Sequence, residues 1–374
     1  MEKEMVVKIT DNILSPLGTT TDANYEAVKS GRTALALHTS DSPAVMPYYA
    51  SLIPDEMLAL DGGYTRFERM CILSVTEALR GCTVDPSSDR LLFIISTTKG
   101  NVRLLSGERG EGRVLLGDAA RAVATHFGNK VDPVVVSNAC ISGLCAQIEA
   151  MRLIEAGAYD YVVVVGADEQ PPFIVSGFQS LKALSTERCR PFDADRRGLN
   201  LGEAAATVVY GREGYPVGGK WTIRCGAVRN DANHISGPSR TGEGSFQALR
   251  RVLGTVKPDE VGFINAHGTA TLYNDEMESI AIERAGLQDV PVGSLKGTYG
   301  HTMGAAGILE TLVSMRAIED GTLLATAGFQ RLGVSRPLHV LAENGVTDRR
   351  TFIKLISGFG GCNAAAAFTM MNTD

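Results

Sequence analysis

Cys140 has the neighbours of a nucleophile. It follows the apolar run Val134–Val136, and the nearby residues Ala139, Ser142 and Gly143 are small. Small residues allow a sharp strand-to-helix turn that exposes a side chain, and the unpaired N–H groups at a helix N-terminus favour a thiolate. A buried structural cysteine is the commoner outcome in an apolar context, so Cys140 alone leaves both roles open.

Two histidines could complete such a site. His267 follows the strand-like run 261–264, and α/β folds place their active sites at strand ends. His301 lies in the segment 294–307, whose small residues allow a helix to pack closely against a turn. Either histidine alone would more often be a hydrogen-bonded structural residue.

The glycine-rich turn at 358–361 offers backbone N–H groups. It lacks the Lys-Ser/Thr pair of a phosphate-binding loop and the glycine spacing of a dinucleotide site. We therefore expect it to bring N–H groups close to a reacting oxygen.

Alternating strands and helices are predicted to position these residues. Leu91–Ser96, Pro133–Val136 and Tyr161–Val165 have the apolar composition of strands buried on both faces. Between the last two strands, apolar residues recur with helical spacing at Leu144, Ile148, Met151 and Ile154. A strand, a helix and a strand in this order predict a parallel, right-handed α/β unit.

An internal echo predicts a duplicated architecture. The sequence of residues 151–157 is similar to that of 315–321, which begins 164 residues later, and 202–210 is similar to 361–369. Matches in the same order at similar offsets suggest two α/β halves joined near Gly211–Gly219. We expect the N-terminal half, 1–215, to carry the nucleophilic cysteine and the C-terminal half, 216–374, to carry both histidines.

Composition restricts the possible functions. The chain has 374 residues, a net charge of −6 and seven cysteines without a CxxC pair. The negative charge argues against a general nucleic-acid-binding protein, and scattered cysteines in odd number suggest reduced thiols. Because the sequence lacks a bilayer-spanning apolar run and a secretory signal, we expect a cytoplasmic protein without a nucleic-acid or membrane partner.

Four motifs in order resemble those of the elongating β-ketoacyl-(acyl carrier protein) synthases of the thiolase superfamily. The motifs are Asn138–Gly143, Arg190–Asp193 with Gly202–Glu203, His267–Thr271 and Lys296–Gly307. The similarity covers nearly the whole chain. It implies a thiolase-like five-layered αβαβα fold of two halves. It also implies decarboxylative condensation of an acyl-enzyme thioester with a malonyl thioester on acyl carrier protein, in fatty acid or specialised polyketide or aryl-polyene synthesis.

The resemblance also implies roles for individual residues. Cys140 would carry the acyl group, and neutral His267 and His301 would donate hydrogen bonds to the malonyl thioester oxygen. The backbone N–H groups of Cys140 and Phe359 would form the oxyanion hole. Lys296 would be a catalytic residue paired with Glu310.

Further residues are expected to support the site or bind substrate. Asp275 is a supporting residue, and the hydroxyl groups of Thr269 and Thr271 suit the amides of the pantetheine arm. Ser357 is expected to contact substrate. No tightly bound cofactor or metal is expected, since the substrates would arrive on the phosphopantetheine arm of acyl carrier protein. The family also implies a homodimer, with a heterodimer of related subunits as the alternative.

Two departures from the family pattern concern the acyl pocket. Ser357 stands where the family usually has the first aromatic residue of Phe-Gly-Phe-Gly-Gly, and the segment between Lys99 and Val131 is short. The acyl-chain-length preference of the family is therefore not assigned to this chain.

Two other functions compete with the condensing enzyme. A non-catalytic chain-length partner subunit would lack the nucleophilic cysteine, whereas this chain has Cys140, His267, His301 and Lys296. A thiolase would need a second cysteine near the C-terminal glycine turn. Cys362 keeps that alternative open.

Overall fold

The structure, a computed structural model, describes residues 5–42, 44–106, 113–214, 219–231, 233–235 and 237–372. Its strands are β1 (Val6–Leu14), β2 (Ala36–His38), β3 (Tyr48–Ser51), β4 (Leu91–Ser96), β5 (Val134–Val136), β6 (Tyr161–Asp168), β7 (Leu201–Gly202), β8 (Ala204–Arg212), β9 (Trp221–Asn230), β10 (Val261–Asn265), β11 (Pro291–Gly293), β12 (Thr322–Leu323), β13 (His339–Val340), β14 (Gly345–Val346), β15 (Thr351–Gly358) and β16 (Cys362–Met370). Its α-helices are α1 (Thr21–Lys29), α2 (Arg66–Leu79), α3 (Leu116–His126), α4 (Ser142–Glu155), α5 (Pro172–Ser180), α6 (Glu243–Leu253), α7 (Leu272–Arg284), α8 (Lys296–Tyr299) and α9 (Ala306–Glu319). Across these described ranges, no helix has both the length and the apolar character required to cross a bilayer.

Most strands join one large sheet that repeats its topology. The order is β13-β11-β10-β15-β16-β9-β1-β8-β6-β4-β5, and a single antiparallel pair, Val7 with Thr222, links β1 to β9. On each side of that link, a run of parallel strands is followed by one antiparallel neighbour. In the first half three parallel strands (β5, β4 and β6) precede β8, and in the second half four (β13, β11, β10 and β15) precede β16. The predicted α/β fold of two duplicated halves is confirmed, while the exact boundary at 215 and 216 stays a prediction.

Three of the buried apolar clusters define five layers. One cluster lies between α4, α9 and the inner faces of both half-sheets. A second packs α2 and α3 on the outer face of the first half-sheet, and a third packs α6 and α7 on the outer face of the second. Alternation along β6 explains how one strand serves two layers: Val162 and Val164 enter the central cluster, whereas Val163 and Val165 enter the outer one.

The two central helices approach each other through glycine. A Cβ atom on Gly143 would lie 2.7 Å from the carbonyl oxygen of Gly304, and one on Gly307 would lie 2.4 Å from the backbone nitrogen of Leu144. Neither position has room for a side chain. This close packing brings the start of α4, next to Cys140, against the turn that follows His301.

One strand differs from its prediction. The run Pro133–Val136 was expected to be buried on both faces, but β5 is the edge strand of the sheet and Val134 is 38% exposed. A run of β-branched residues predicts a strand without revealing whether a further strand covers its edge.

Candidate active site

Cys140 lies on a strained elbow between β5 and α4. Ala139, directly before it, has a φ of 44°, a left-handed conformation that is costly for a residue with a Cβ. The Ser142 hydroxyl stabilises the elbow by accepting from the Asn138 N–H at 2.7 Å and donating to the Ala139 carbonyl at 2.6 Å. The helix itself begins at Ser142, two residues after the cysteine.

Two imidazole rings from the second half of the chain meet this thiol. The sulfur of Cys140 and one ring nitrogen from each of His267 and His301 lie within 4.8 Å of one another. The two ring centroids are 5.0 Å apart and the rings are inclined at 78°. Both histidines are buried, and His267 follows the end of β10 as its sequence context predicted.

The ring of His301 is held in one orientation. The backbone N–H of Met303 donates to Nδ1 at 3.3 Å, which places the proton of the neutral ring on Nε2. Among the described residues, no protein group accepts from this buried Nε2. The ring therefore has a donor available to a substrate.

Burial keeps both imidazoles neutral. It lowers the pKa of His267 and of His301 well below the ordinary value, and the positive charge of Lys296 lowers both further. For His267, the neighbouring His301 adds to the effect. At neutral pH each ring can act as a hydrogen-bond donor and still accept a proton.

The Cys140 thiol differs from the expectation of a thiolate. Burial raises its pKa, although Lys296, Lys99 and the backbone N–H of Phe359 act in the opposite direction. The helix N-terminus nearby does not lower the pKa of this thiol below its ordinary value, because the sulfur is only 8% exposed and precedes the first helical residue by two positions. The resting group is a thiol that must lose its proton as it reacts.

Phe359 lies in the turn between β15 and β16, against the cysteine elbow. Its N–H points to the sulfur of Cys140. Gly358 makes this approach possible, since a Cβ there would lie 3.1 Å from the backbone nitrogen of Cys140 and 2.8 Å from the sulfur of Cys362.

A cavity of about 450 Å³ reaches this centre. Thr269 and Thr271 line it with their hydroxyl oxygens 2.9 Å apart. Ser357 also lines it and donates to Oδ1 of Asn363 at 2.8 Å.

Asp275 is buried and does not line the cavity. It accepts from the Phe192 N–H at 2.7 Å and lies 3.7 Å from the guanidinium Nε of Arg196. Burial raises its pKa to about 6.

Lys296 and Glu310 form a buried ion pair beside the histidines. A third member of this cluster, Lys354, was missed by the sequence analysis, and its Nζ lies 2.7 Å from Oε2 of Glu310. The available signal was a single charged residue within the apolar run of β15.

Two buried carboxylates were also missed. Glu278 accepts from the backbone N–H groups of His267 and Gly268, each at 2.7 Å, and burial raises its pKa to about 7. Asp168, at the end of β6, accepts from Gly304 N–H at 2.8 Å and lies 3.7 Å from Nζ of Lys99. Each supports the segment that carries one of the two histidines.

Comparisons with known proteins agree with this arrangement. Residues 63–213 match the N-terminal domain of β-ketoacyl synthases, and residues 222–330 match the C-terminal domain. The tetracenomycin polyketide synthase ketoacyl synthase alpha subunit of Streptomyces glaucescens is 31% identical over 350 residues, which cover 81% of this chain and 80% of that protein. The 3-oxoacyl-[acyl-carrier-protein] synthase 2 of Vibrio cholerae is 26% identical, with 99% of this chain and all of that protein covered.

The fold has a close match among solved structures. The ishigamide ketosynthase/chain length factor superimposes with a TM-score of 0.90 at 24% identity, covering 99% of this chain and 100% of that one. With both family domains in order on one chain, and with the similarity to the alpha subunit extending over four fifths of each protein, the chain belongs to the β-ketoacyl synthase family and is a condensing enzyme of the 3-oxoacyl-[acyl-carrier-protein] synthase type.

Proposed function

We propose that Cys140 carries the acyl group and that His267 and His301 drive decarboxylation of a malonyl thioester held on acyl carrier protein. The convergence of one buried thiol and two neutral imidazoles at a cavity supports this division of roles more than any other observation. The scheme has two half-reactions at one centre.

In the first half-reaction, the Cys140 sulfur attacks the carbonyl carbon of an acyl thioester. The thiol proton passes to a neighbouring neutral imidazole and then to the departing pantetheine sulfur. The N–H groups of Cys140 and Phe359 stabilise the oxyanion, and losing one such donor typically costs about 3–4 kcal/mol of transition-state stabilisation.

In the second half-reaction, a malonyl thioester binds with its carbonyl oxygen near the two rings. The bond to its carboxylate breaks, carbon dioxide leaves, and the electron pair forms an enolate. The free Nε2–H of His301 is suited to donate to the enolate oxygen, with His267 as the second donor. The enolate carbon attacks the acyl carbon, and the Cys140 sulfur leaves as a thiolate that takes up a proton from water to restore the thiol. The product is a 3-oxoacyl thioester.

The buried ion cluster and the threonine pair have accessory roles in this scheme. Lys296, neutralised in part by Glu310, supplies positive charge beside the enolate. Thr269 and Thr271 offer hydroxyl groups to the amides of the pantetheine arm. No bound cofactor or metal is needed for these steps, and this remains a prediction.

The partners follow from the same chemistry. An acyl carrier protein presents both substrates. The chain itself forms a homodimer with a second copy, or alternatively a heterodimer with a related subunit. The uncovered edge of β5 supports a pairing surface, since an exposed strand edge with Val134 at 38% exposure is a template for another chain. A reducing compartment such as the cytoplasm suits an enzyme that needs Cys140 as a free thiol.

Cys362 gives the thiolase alternative little support. Burial raises its pKa to about 12, and its sulfur lies 3.3 Å from the Phe359 carbonyl oxygen. Such a thiol is a poor proton carrier at neutral pH.

An assay of carbon balance tests the proposal. With acyl-loaded and malonyl-loaded carrier proteins, we expect one carbon dioxide for each 3-oxoacyl carrier formed, measured by gas release and intact-carrier mass spectrometry. Acetyl-coenzyme A alone should give no acetoacetyl product. Product formed from acetyl-coenzyme A without carbon dioxide would identify a thiolase instead.

Ser357 is expected to set how much room the acyl chain has. Replacing it with phenylalanine would add an aromatic ring to the cavity wall beside Cys140, and an overfilled site typically costs about 1–3 kcal/mol. We expect kcat/KM to fall about tenfold or more for long acyl carriers relative to acetyl carrier. The Ser357→Ala variant keeps the space and serves as the control. Equal chain-length preference in Ser357→Phe and wild type would contradict this role.

A further inference from the structure

Lys354 is a fully buried ammonium group in an apolar strand. Its side chain is 0% exposed, and Ile353 and Leu355 on either side of it belong to the core. Burying an unpaired charge is very costly, so the partners of such a lysine indicate what it does. The partners of Lys354 lie beside the two histidines of the candidate active site.

One set of partners is ionic. Glu310 pairs through Oε1 with Lys296 and through Oε2 with Lys354, the latter at 2.7 Å. Against the effect of burial, the two lysines lower the pKa of Glu310, so the carboxylate is charged. Two ammonium groups therefore share one carboxylate, and the buried carboxylate of Glu278 also faces Lys354.

The other set of partners is the backbone that leads into His267. The Lys354 ammonium donates to Oδ1 of Asn265 at 2.8 Å and to the carbonyl oxygens of Asn265 and Ala266, both at 3.3 Å. It also donates to its neighbour's carbonyl, that of Leu355, at 2.9 Å. Asn265 and Ala266 are the two residues directly before His267, so the ammonium fixes the end of β10.

The two neighbouring helices complete this clamp. Asn265 donates to the Ser314 hydroxyl at 2.9 Å, and Ser314 donates to the Glu310 carbonyl at 2.7 Å. Glu278 of α7 holds the other side by accepting from His267 N–H. The strand end is thus tied to the ion cluster on one side and to a carboxylate on the other.

We propose that Lys354 is a positioning residue for the decarboxylation step, which fixes the strand end carrying His267 and adds positive charge beside the two imidazoles. The inference rests on the proposed condensing function and deepens it. Lys354 adds a second ammonium group to that of Lys296, on the other oxygen of the shared Glu310 carboxylate.

The charge has a measurable consequence. Lys354 is one of the groups that lower the pKa of both imidazoles. It ranks after burial, Lys296 and His301 for His267, and after burial, Lys296 and Lys99 for His301. Burial lowers its own pKa to about 8, while the facing carboxylates Glu310 and Glu278 oppose this and the facing Lys296 adds to it. At pH 7 the ammonium is therefore charged. Removing it raises the pKa of both imidazoles, so they gain protons at a higher pH than in the wild type.

A protonated ring is unsuited to the proposed step. His301 accepts the Met303 N–H at Nδ1, and a proton on that nitrogen would break the contact that orients the ring. Activity is consequently lost as the pH falls through the imidazole pKa, and the acid limb of the profile marks that pKa.

The test compares Lys354→Met with wild type in malonyl-carrier decarboxylation across pH, with Cys140 acylation measured in parallel by mass spectrometry. We expect carbon dioxide release at pH 7 to fall about 10- to 100-fold while acylation changes by only a few-fold. We expect the acid limb to move to higher pH. A loss of folded protein would instead scale the whole profile without moving it.

Two further variants make the outcome decisive. Lys8→Met is the matched control, since Lys8 is a largely buried lysine paired with Asp11 on β1, and its profile should equal the wild type. Lys354→Gln removes the charge but keeps a donor for Asn265. If the methionine variant does not fold, the pH profile of the glutamine variant is compared with wild type instead. An unmoved acid limb in the folded variant would overturn the role of Lys354, whereas absence of carbon dioxide release by the wild type would overturn the proposed function itself.

Discussion

Converting Cys140 to alanine is expected to abolish the acyl-enzyme. Incubation of the wild type with an acyl carrier thioester should add the mass of the acyl group to the intact protein, and the variant should show no such increment. Condensation should fall by at least about 1,000-fold, because the covalent step has no substitute nucleophile in position. Alanine keeps the Cβ atom and removes only the sulfur, so the substitution leaves the surrounding side chains in place.

Cys145 supplies the matched control for this experiment. It lies one turn further along α4, and burial raises its pKa to about 12. Cys145→Ala should therefore acylate at the wild-type rate. An acyl adduct that persists in Cys140→Ala would remove Cys140 from its role.

Replacing His301 with alanine is expected to separate the two half-reactions. Carbon dioxide release from malonyl carrier should fall about 100- to 1,000-fold, since the free Nε2–H is lost as a donor to the enolate oxygen. Acylation should persist within a few-fold, because His267 remains near the sulfur as a neutral base. Both rates are measured on one enzyme preparation.

An exposed histidine controls for the substitution itself. His126, at the end of α3, lies in the outer layer, and His126→Ala should leave both rates unchanged. Equal losses of acylation and decarboxylation in His301→Ala would contradict the assignment of separate roles.

Local sequence patterns predicted the scaffold closely. The echo at 151–157 and 315–321 corresponds to the ends of α4 and α9, which have 14 residues each and pack side by side in the central layer. The strand predicted at Tyr161–Val165 is present and extends to Asp168. These features depend on spacing within short segments, which a sequence displays directly.

The site was only partly predictable, because the residues that support its reactive side chains come from distant segments of the chain. Lys354, Glu310 and Asn265 meet although they are far apart in the chain, and no local pattern states that one carboxylate serves two lysines. Asp168 supports the turn after His301 from the end of another strand. The motifs predicted groups that line the cavity, whereas the residues that hold those groups depend on tertiary packing.

The sign of the Cys140 pKa shift shows the same limitation. A position near a helix N-terminus and near lysines predicts a lowered pKa, but burial dominates and raises it. Burial is a property of the assembled cavity. In the proposed scheme this has a functional consequence, since a resting thiol needs a neighbouring neutral imidazole to take its proton during acylation.

In the proposed reaction, one sulfur transfers the acyl group under the control of two imidazoles. A single-turnover experiment tests it most directly: wild-type enzyme is loaded from an acyl carrier, mapped by peptide mass spectrometry, and then mixed with malonyl carrier. We expect an adduct on the peptide containing Cys140, which decays at the same rate as carbon dioxide and 3-oxoacyl carrier appear. An adduct on another residue, or product that accumulates while the Cys140 adduct persists, would contradict it.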